Sequence, residues 1–273
     1  MKRETNVSIA GYDSIWSKII KYPLGGRNLK PRIQGLTMII DKGMGLAETG
    51  DLLDIAGEYI DFIKLAFGTS ALYSSNVLLE KIELARSYGI DIYPGGTFLE
   101  VAIIQDKIEE FLQLSKNLGF TCVEVSDGTI KLDGEVRERS IARARELGFK
   151  VLTEVGKKDI NDQTPVEEFA ALIKSDLKNG AFRVILEGRE TGANVGLYDE
   201  NGNFIKDDLE RLLEEIDDPR IIMWEAPNKN QQLELISRFG PNVNLGNIPT
   251  GEVLALEALR VGLRSDSFKI TLG

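Results

Sequence analysis

The sequence has no histidine and a single cysteine, Cys122, among its 273 residues. Without histidine there can be no Ser-His or Cys-His nucleophile pair and no His-ligated zinc centre. Acid–base chemistry then falls to Lys, Asp, Glu or Tyr. A metal site must be built from oxygen ligands, which select hard cations such as Mg²⁺. The lone cysteine excludes an internal disulfide and fits a reducing, cytoplasmic compartment. No uninterrupted apolar run of about 18 residues is present, and the first residues lead into no signal-like core, so the chain reads as soluble and unexported. Acids outnumber bases, with 43 Asp and Glu against 33 Lys and Arg. A net charge of −10 argues against general nucleic-acid binding, and no basic amphipathic stretch indicates membrane contact.

Apolar residues at 42% and charged residues at 28% leave ample material for a core. One phrase recurs along the chain: a short β-branched run, a Gly- or Pro-containing loop carrying charge, then an amphipathic helix. The runs are Leu36–Asp41, Phe62–Phe67, Ile90–Tyr93, Cys122–Ser126, Lys150–Val155, Arg183–Glu187, Ile221–Glu225 and Val243–Gly246. Eight strands at this spacing, in a chain near the roughly 250 residues typical of the fold, predict a single (β/α)₈ barrel over residues 36–273. Residues 1–35, with Pro23, Gly25, Gly26 and Pro31, form an N-terminal extension expected to lie over the barrel base.

The helices carry their own signatures. Thr97 and Glu100 read as a capping box before Val101, Ile104, Ile108, Phe111 and Leu112 on one helical face. Thr164-Pro165-Val166-Glu167 reads as an N-cap, and Asn228 as another. A last helix, well buried, is expected from about Glu252 to Leu263.

In such a barrel the active site lies at the C-terminal ends of the strands. Four consecutive strands here end in an acid: Glu124, Glu154, Glu187 and Glu225. Alternation places Ile185, Glu187 and Arg189 on one face of their strand, and Ile221, Met223 and Glu225 on the equivalent face of theirs. If those faces point inward, the four carboxylates converge, repel one another, and call for a divalent cation. Spacing leaves open which of them would bind it directly.

Cations stand nearby. Lys42 follows strand one, and Lys64 sits inside strand two. Parity sets Glu154, Gly156 and Lys158 on one side and Lys157 on the other, which favours Lys158 as the group aimed into the site. The loop Gly246-Asn247-Ile248-Pro249-Thr250-Gly251 leads into a helix and can cradle phosphate. By contrast, Gly43-Met44-Gly45 is no dinucleotide fingerprint, since Glu48 stands where the third small residue belongs. Cys122 reads as a core residue, and Trp224 as packing against helices.

The strand-end phrases together resemble the phosphosulfolactate synthase family. They are Asp41-Lys42-Gly43, Asp61-Phe62-Ile63-Lys64, Tyr93-Pro94-Gly95-Gly96-Thr97, Glu124-Val125-Ser126-Asp127-Gly128, Thr153-Glu154-Val155-Gly156-Lys157-Lys158, Glu187-Gly188-Arg189-Glu190, Glu225-Ala226-Pro227 and Asn244-Leu245-Gly246-Asn247-Ile248. The resemblance implies a (β/α)₈ homo-oligomer that adds sulfite to phosphoenolpyruvate with Mg²⁺, giving (2R)-phospho-3-sulfolactate. It also implies that Lys158 is the proton donor. Lys158, Lys157 and Lys42 are then the catalytic candidates. Lys64, Arg189, Gly188 and Asn247 are candidates for holding the substrate anions. Two other readings remain at this point: an aldolase-like barrel with a Schiff base on Lys64 or Lys157, and a non-catalytic relative of the heat-stress-associated plant barrels.

Overall fold

A computed structural model describes residues 14–156, 164–194 and 196–269. Among them, eight parallel strands form one sheet in the order β3-β2-β1-β8-β7-β6-β5-β4. The strands are β1 (Thr37–Asp41), β2 (Phe62–Leu65), β3 (Asp91–Tyr93), β4 (Cys122–Val125), β5 (Lys150–Val155), β6 (Arg183–Leu186), β7 (Ile222–Glu225) and β8 (Asn244–Pro249). Helices alternate with them: α1 (Leu46–Ala56), α2 (Ser75–Ser87), α3 (Gly96–Ile104), α4 (Ile108–Leu118), α5 (Gly134–Glu146), α6 (Val166–Asn179), α7 (Lys206–Glu215), α8 (Lys229–Phe239), α9 (Val253–Arg260) and α10 (Ser265–Phe268). This is the expected (β/α)₈ barrel, nearly closed. Its seam lies between β3 and β4, where Thr121 N–H donates to Ile92 C=O at 3.3 Å and Ile92 N–H donates to Thr121 Oγ1 at 3.2 Å.

Strand parity builds two cores. Ile39, Ile63, Val123, Val151, Val184, Trp224 and Leu245 face outward against the helices, so the strands are buried on both sides. Trp224 stacks on Phe239 of α8 with ring centroids 5.6 Å apart, as its alternation away from Glu225 required. Met38, Phe62, Tyr93, Cys122, Leu152, Ile185 and Met223 fill the barrel interior below the site. One step further along the same inward rows the apolar filling ends. There Lys64, Glu124, Glu154, Glu187 and Glu225 take over, all of them buried.

Some local expectations give way to tertiary contacts. Thr97 and Glu100 make no capping box. The helix starts at Gly96 behind a Gly95 cap with φ 75°, and Glu100 instead accepts from Ser126 Oγ at 2.5 Å and from the Thr129 and Ile130 N–H groups. The single face drawn through Val101 and Phe111 belongs to two helices, α3 and α4, divided at Asp106 with φ 54°. Val101 and Ile104 are exposed rather than buried. Thr164 precedes the N-cap, which is Pro165. Asn228 does cap α8, in a box with Gln231. The last long helix is shorter than expected and begins after a 3₁₀ turn, Thr250–Glu252.

The extension, described from residue 14, straps the N-terminal end of the barrel. Leu24 N–H donates to Val261 C=O at 3.0 Å, Arg27 pairs with Glu257 at 2.9 Å, and Arg32 pairs with Asp61 at 2.8 Å. It lies at the opposite end from the acidic layer. No helix among the described residues is long and apolar enough to cross a membrane.

Candidate active site

Lys64 stands at the centre of the acidic layer. Its Nζ lies 3.0 Å from Glu124 Oε2, 3.0 Å from Glu154 Oε2 and 3.2 Å from Glu225 Oε1. Burial alone lowers the pKa of such an ammonium. Glu124, Glu154 and Glu225 together raise it by more, and hold it well above the ordinary lysine value. The three carboxylates around it thus favour the ammonium form of Lys64. That disfavours the Schiff-base reading at this residue, because an attacking amine must be unprotonated.

The four glutamates do not play one part. Glu154, Glu187 and Glu225 each offer a carboxylate oxygen, and these oxygens lie within 4.8 Å of one another. Glu124 stands apart from that trio. It bridges Lys64 and the barrel seam, accepting from Gly96 N–H at 2.8 Å. A cluster of three buried carboxylates fits a hard divalent cation in donor type and in spacing.

Glycines on neighbouring elements make room for these acids. A Cβ on Gly96 would stand 2.4 Å from Glu124 Oε1, and one on Gly156 would stand 2.8 Å from the Glu187 Cβ. Gly188 would place a Cβ 2.5 Å from the Glu225 carbonyl oxygen, while its N–H donates to Glu225 Oε2 at 2.9 Å. Gly188 thus positions a carboxylate from behind and does not line the cavity, unlike the substrate contact expected of it.

Further supports lie outside the barrel and were not singled out in the sequence. Arg137 of α5, largely buried, donates to the Glu154 carbonyl at 2.9 Å and pairs with Asp176 at 2.6 Å and Asp127 at 3.2 Å. Tyr198 Oη donates to the Glu225 carbonyl at 2.8 Å. The signal for Arg137 was its place on the core stripe Arg137, Ser140, Ile141 and Ala144, where a charge needs a partner.

A cavity of about 300 Å³ opens over two of the trio, Glu187 and Glu225, and is lined also by Lys64, Arg189 and Asn247. The Arg189 guanidinium has no ion-pair partner among the described residues, so it can meet an anion. Asn247 also lines the cavity, with one N–H of its Nδ2 donating to the Arg189 carbonyl at 3.3 Å. Lys42 does not reach the trio. It is half-exposed, pairs with Glu190, and lines an adjoining cavity of about 360 Å³ with Pro249 and Thr250. The expected phosphate loop is therefore mostly strand, because β8 runs through Pro249, and only Thr250 and Gly251 begin the turn before α9. Lys157 and Lys158 lie outside the described residues.

A (β/α)₈ barrel whose strand ends gather buried acids and a buried lysine around a cavity has the layout of an enzyme site. Residues 25–266 match the model of the (2R)-phospho-3-sulfolactate synthase family, and the chain belongs to that family. It is 45% identical over 243 residues to a phosphosulfolactate synthase of Methanothermobacter thermautotrophicus, covering 88% of this chain and 94% of that one. It is 39% identical over 247 residues to a phosphosulfolactate synthase of Bacillus subtilis, covering 89% and 95%. A protein of Arabidopsis thaliana named HEAT-STRESS-ASSOCIATED 32 is 21% identical over 266 residues. Among solved structures, 3-hexulose-6-phosphate synthase from Salmonella typhimurium superposes with a TM-score of 0.53 at 16% identity, over 87% of this chain and 98% of that one, a likeness of fold. The chain is an enzyme of the carbon–sulfur bond-forming lyase type.

Proposed function

We propose that the protein catalyses the Mg²⁺-dependent addition of sulfite to phosphoenolpyruvate, giving (2R)-phospho-3-sulfolactate. One observation carries this reading: in a chain of this family, three buried carboxylates lie within 4.8 Å of one another beside an ammonium and beneath an open cavity. The sulfite sulfur bonds to C3, the C2=C3 π pair moves toward C2 and the carboxylate, and C2 takes up a proton. Glu154, Glu187 and Glu225 would hold the cation, which supplies Lewis-acid stabilisation of the charge developing on the carboxylate.

The chain's own residues do the rest. Lys64 adds a preorganised positive charge at the same end of the cavity. Arg189 offers a bidentate contact to an oxyanion at the mouth. Lys42, beside Thr250, offers a second anion contact in the adjoining cavity. Lys158 delivers the proton to one face of C2. That role rests on its parity with Glu154 and on the family resemblance. The same reading takes the protein as a cytoplasmic homo-oligomer, and its one buried cysteine agrees with a reducing compartment.

The test is incubation with phosphoenolpyruvate, sulfite and Mg²⁺, followed by phosphorus NMR. A new phosphate ester whose formation stops on chelation of the metal is expected. Failure of folded protein to produce one rejects the activity.

A further inference from the structure

We propose that the side-chain carbonyl oxygen of Asn247 is a further oxygen donor to the cation that Glu154, Glu187 and Glu225 would hold, an inference that rests on the cation reading above. The first observation is a bulge. Thr37 of β1 faces Leu245 of β8, yet Ile39 faces Ile248, so two steps on β1 are matched by three on β8. Gly246 is the inward residue there, in register with Glu225 and close enough to its side chain that a Cβ would meet Glu225 Cγ at 3.6 Å. Strict alternation would send Asn247 outward to the helices. Instead it takes φ 54°, is 3% exposed and lines the cavity. An inserted residue that re-aims a side chain beside a site is a recognised use of such bulges. Asparagine is one of the few residues other than glycine that tolerates this backbone region.

The second observation is which end of the amide is free. Nδ2 donates to the Arg189 carbonyl, while Oδ1 is buried without a hydrogen-bond partner among the described residues. The atom left without any partner is thus an acceptor, Oδ1. Phosphate, sulfite and carboxylate are acceptors too, so they would meet only the second N–H of Nδ2 and leave Oδ1 unpaired. An amide oxygen is a common ligand for hard cations, directly or through a bound water.

The third observation is placement. Arg189, itself at φ 56°, joins the two groups through its backbone: its carbonyl receives Asn247 Nδ2, and its N–H donates to Glu187 Oε1 at 2.6 Å. One residue therefore fixes both Asn247 and a member of the carboxylate trio, and Glu225 is in register with the residue before Asn247.

Mn²⁺ binding to the substrate-free protein, followed by electron paramagnetic resonance, tests this. Asn247→Gly removes the oxygen yet keeps a residue at ease with the left-handed backbone, and is expected to weaken Mn²⁺ by about 10–100-fold. Asn247→Asp, which puts a charged oxygen at the same place, is expected to tighten it. Unchanged Mn²⁺ affinity in either variant, folded by circular dichroism, overturns the proposal, all the more so if phosphate or sulfite binding weakens instead. Wild-type protein that binds no Mn²⁺ would overturn the cation reading itself, an outcome distinct from a failure at Asn247 alone.

Discussion

Gly188 donates its N–H to Glu225 Oε2 at 2.9 Å, and a Cβ on the same residue would sit 2.5 Å from the Glu225 carbonyl oxygen. The glycine therefore serves the carboxylate twice, by donating and by leaving space. Because the obstructing atom is backbone, it cannot swing aside. Gly188→Ala is expected to lower stability by about 1–3 kcal/mol, as overpacking does. Gly134, with nothing near its missing Cβ, is the control. Thermal unfolding should show a reduced Tm for Gly188→Ala and an unchanged or slightly raised one for Gly134→Ala.

Lys64→Met takes an ammonium away from Glu124, Glu154 and Glu225 while leaving their charges buried. Breaking a buried pair from one side costs about 3–5 kcal/mol, to be read from denaturant unfolding. The pH dependence follows from the upward shift of the Lys64 pKa. A folded value above the unfolded one of about 10.4 means that the stabilisation is complete below that pH. It is lost as the pH rises through the folded value. Wild-type Tm should therefore fall more steeply than that of Lys64→Met at strongly alkaline pH, and parallel slopes would contradict the assignment.

Arg137 ties α5 to α6 through Asp176, and to β5 through the Glu154 carbonyl. Arg137→Met is expected to destabilise by about 3–5 kcal/mol because Asp176 is left buried. Arg137→Met with Asp176→Leu should recover most of that loss. Since the contact to Glu154 stays broken in the double variant, its Mn²⁺ affinity should remain below wild type, which a purely structural role would not predict.

Lys158→Ala is expected to lower turnover by about 10²–10⁴-fold, the span of a positioned general acid, while phosphoenolpyruvate binding by calorimetry survives. Normal turnover would remove Lys158 from proton transfer.

The barrel was legible because its signals are local: Lys150–Val155 appears as a strand with the bounds read from its apolar run, and the condition set on Glu124, Glu154, Glu187 and Glu225, that their faces point inward, is met. What the sequence did not show depends on neighbours remote in the chain. Glu124 parts from the trio because the open seam places Gly96 N–H against it. Glu100 abandons its helix cap because the β4–α5 loop presents three donors to it. Asn247 turns into the site through a bulge defined only by the pairing of β8 with β1. Alternation predicts direction as long as the strand stays regular, and at this bulge it would have sent Asn247 outward, away from the site where the loop reading had placed it.

The most direct measurement is anomalous X-ray diffraction from crystals soaked in Mn²⁺, collected at the manganese edge. The account predicts a peak among the carboxylates of Glu154, Glu187 and Glu225, weakened in Glu187→Gln. A peak at any other place, with none among these three, would contradict it.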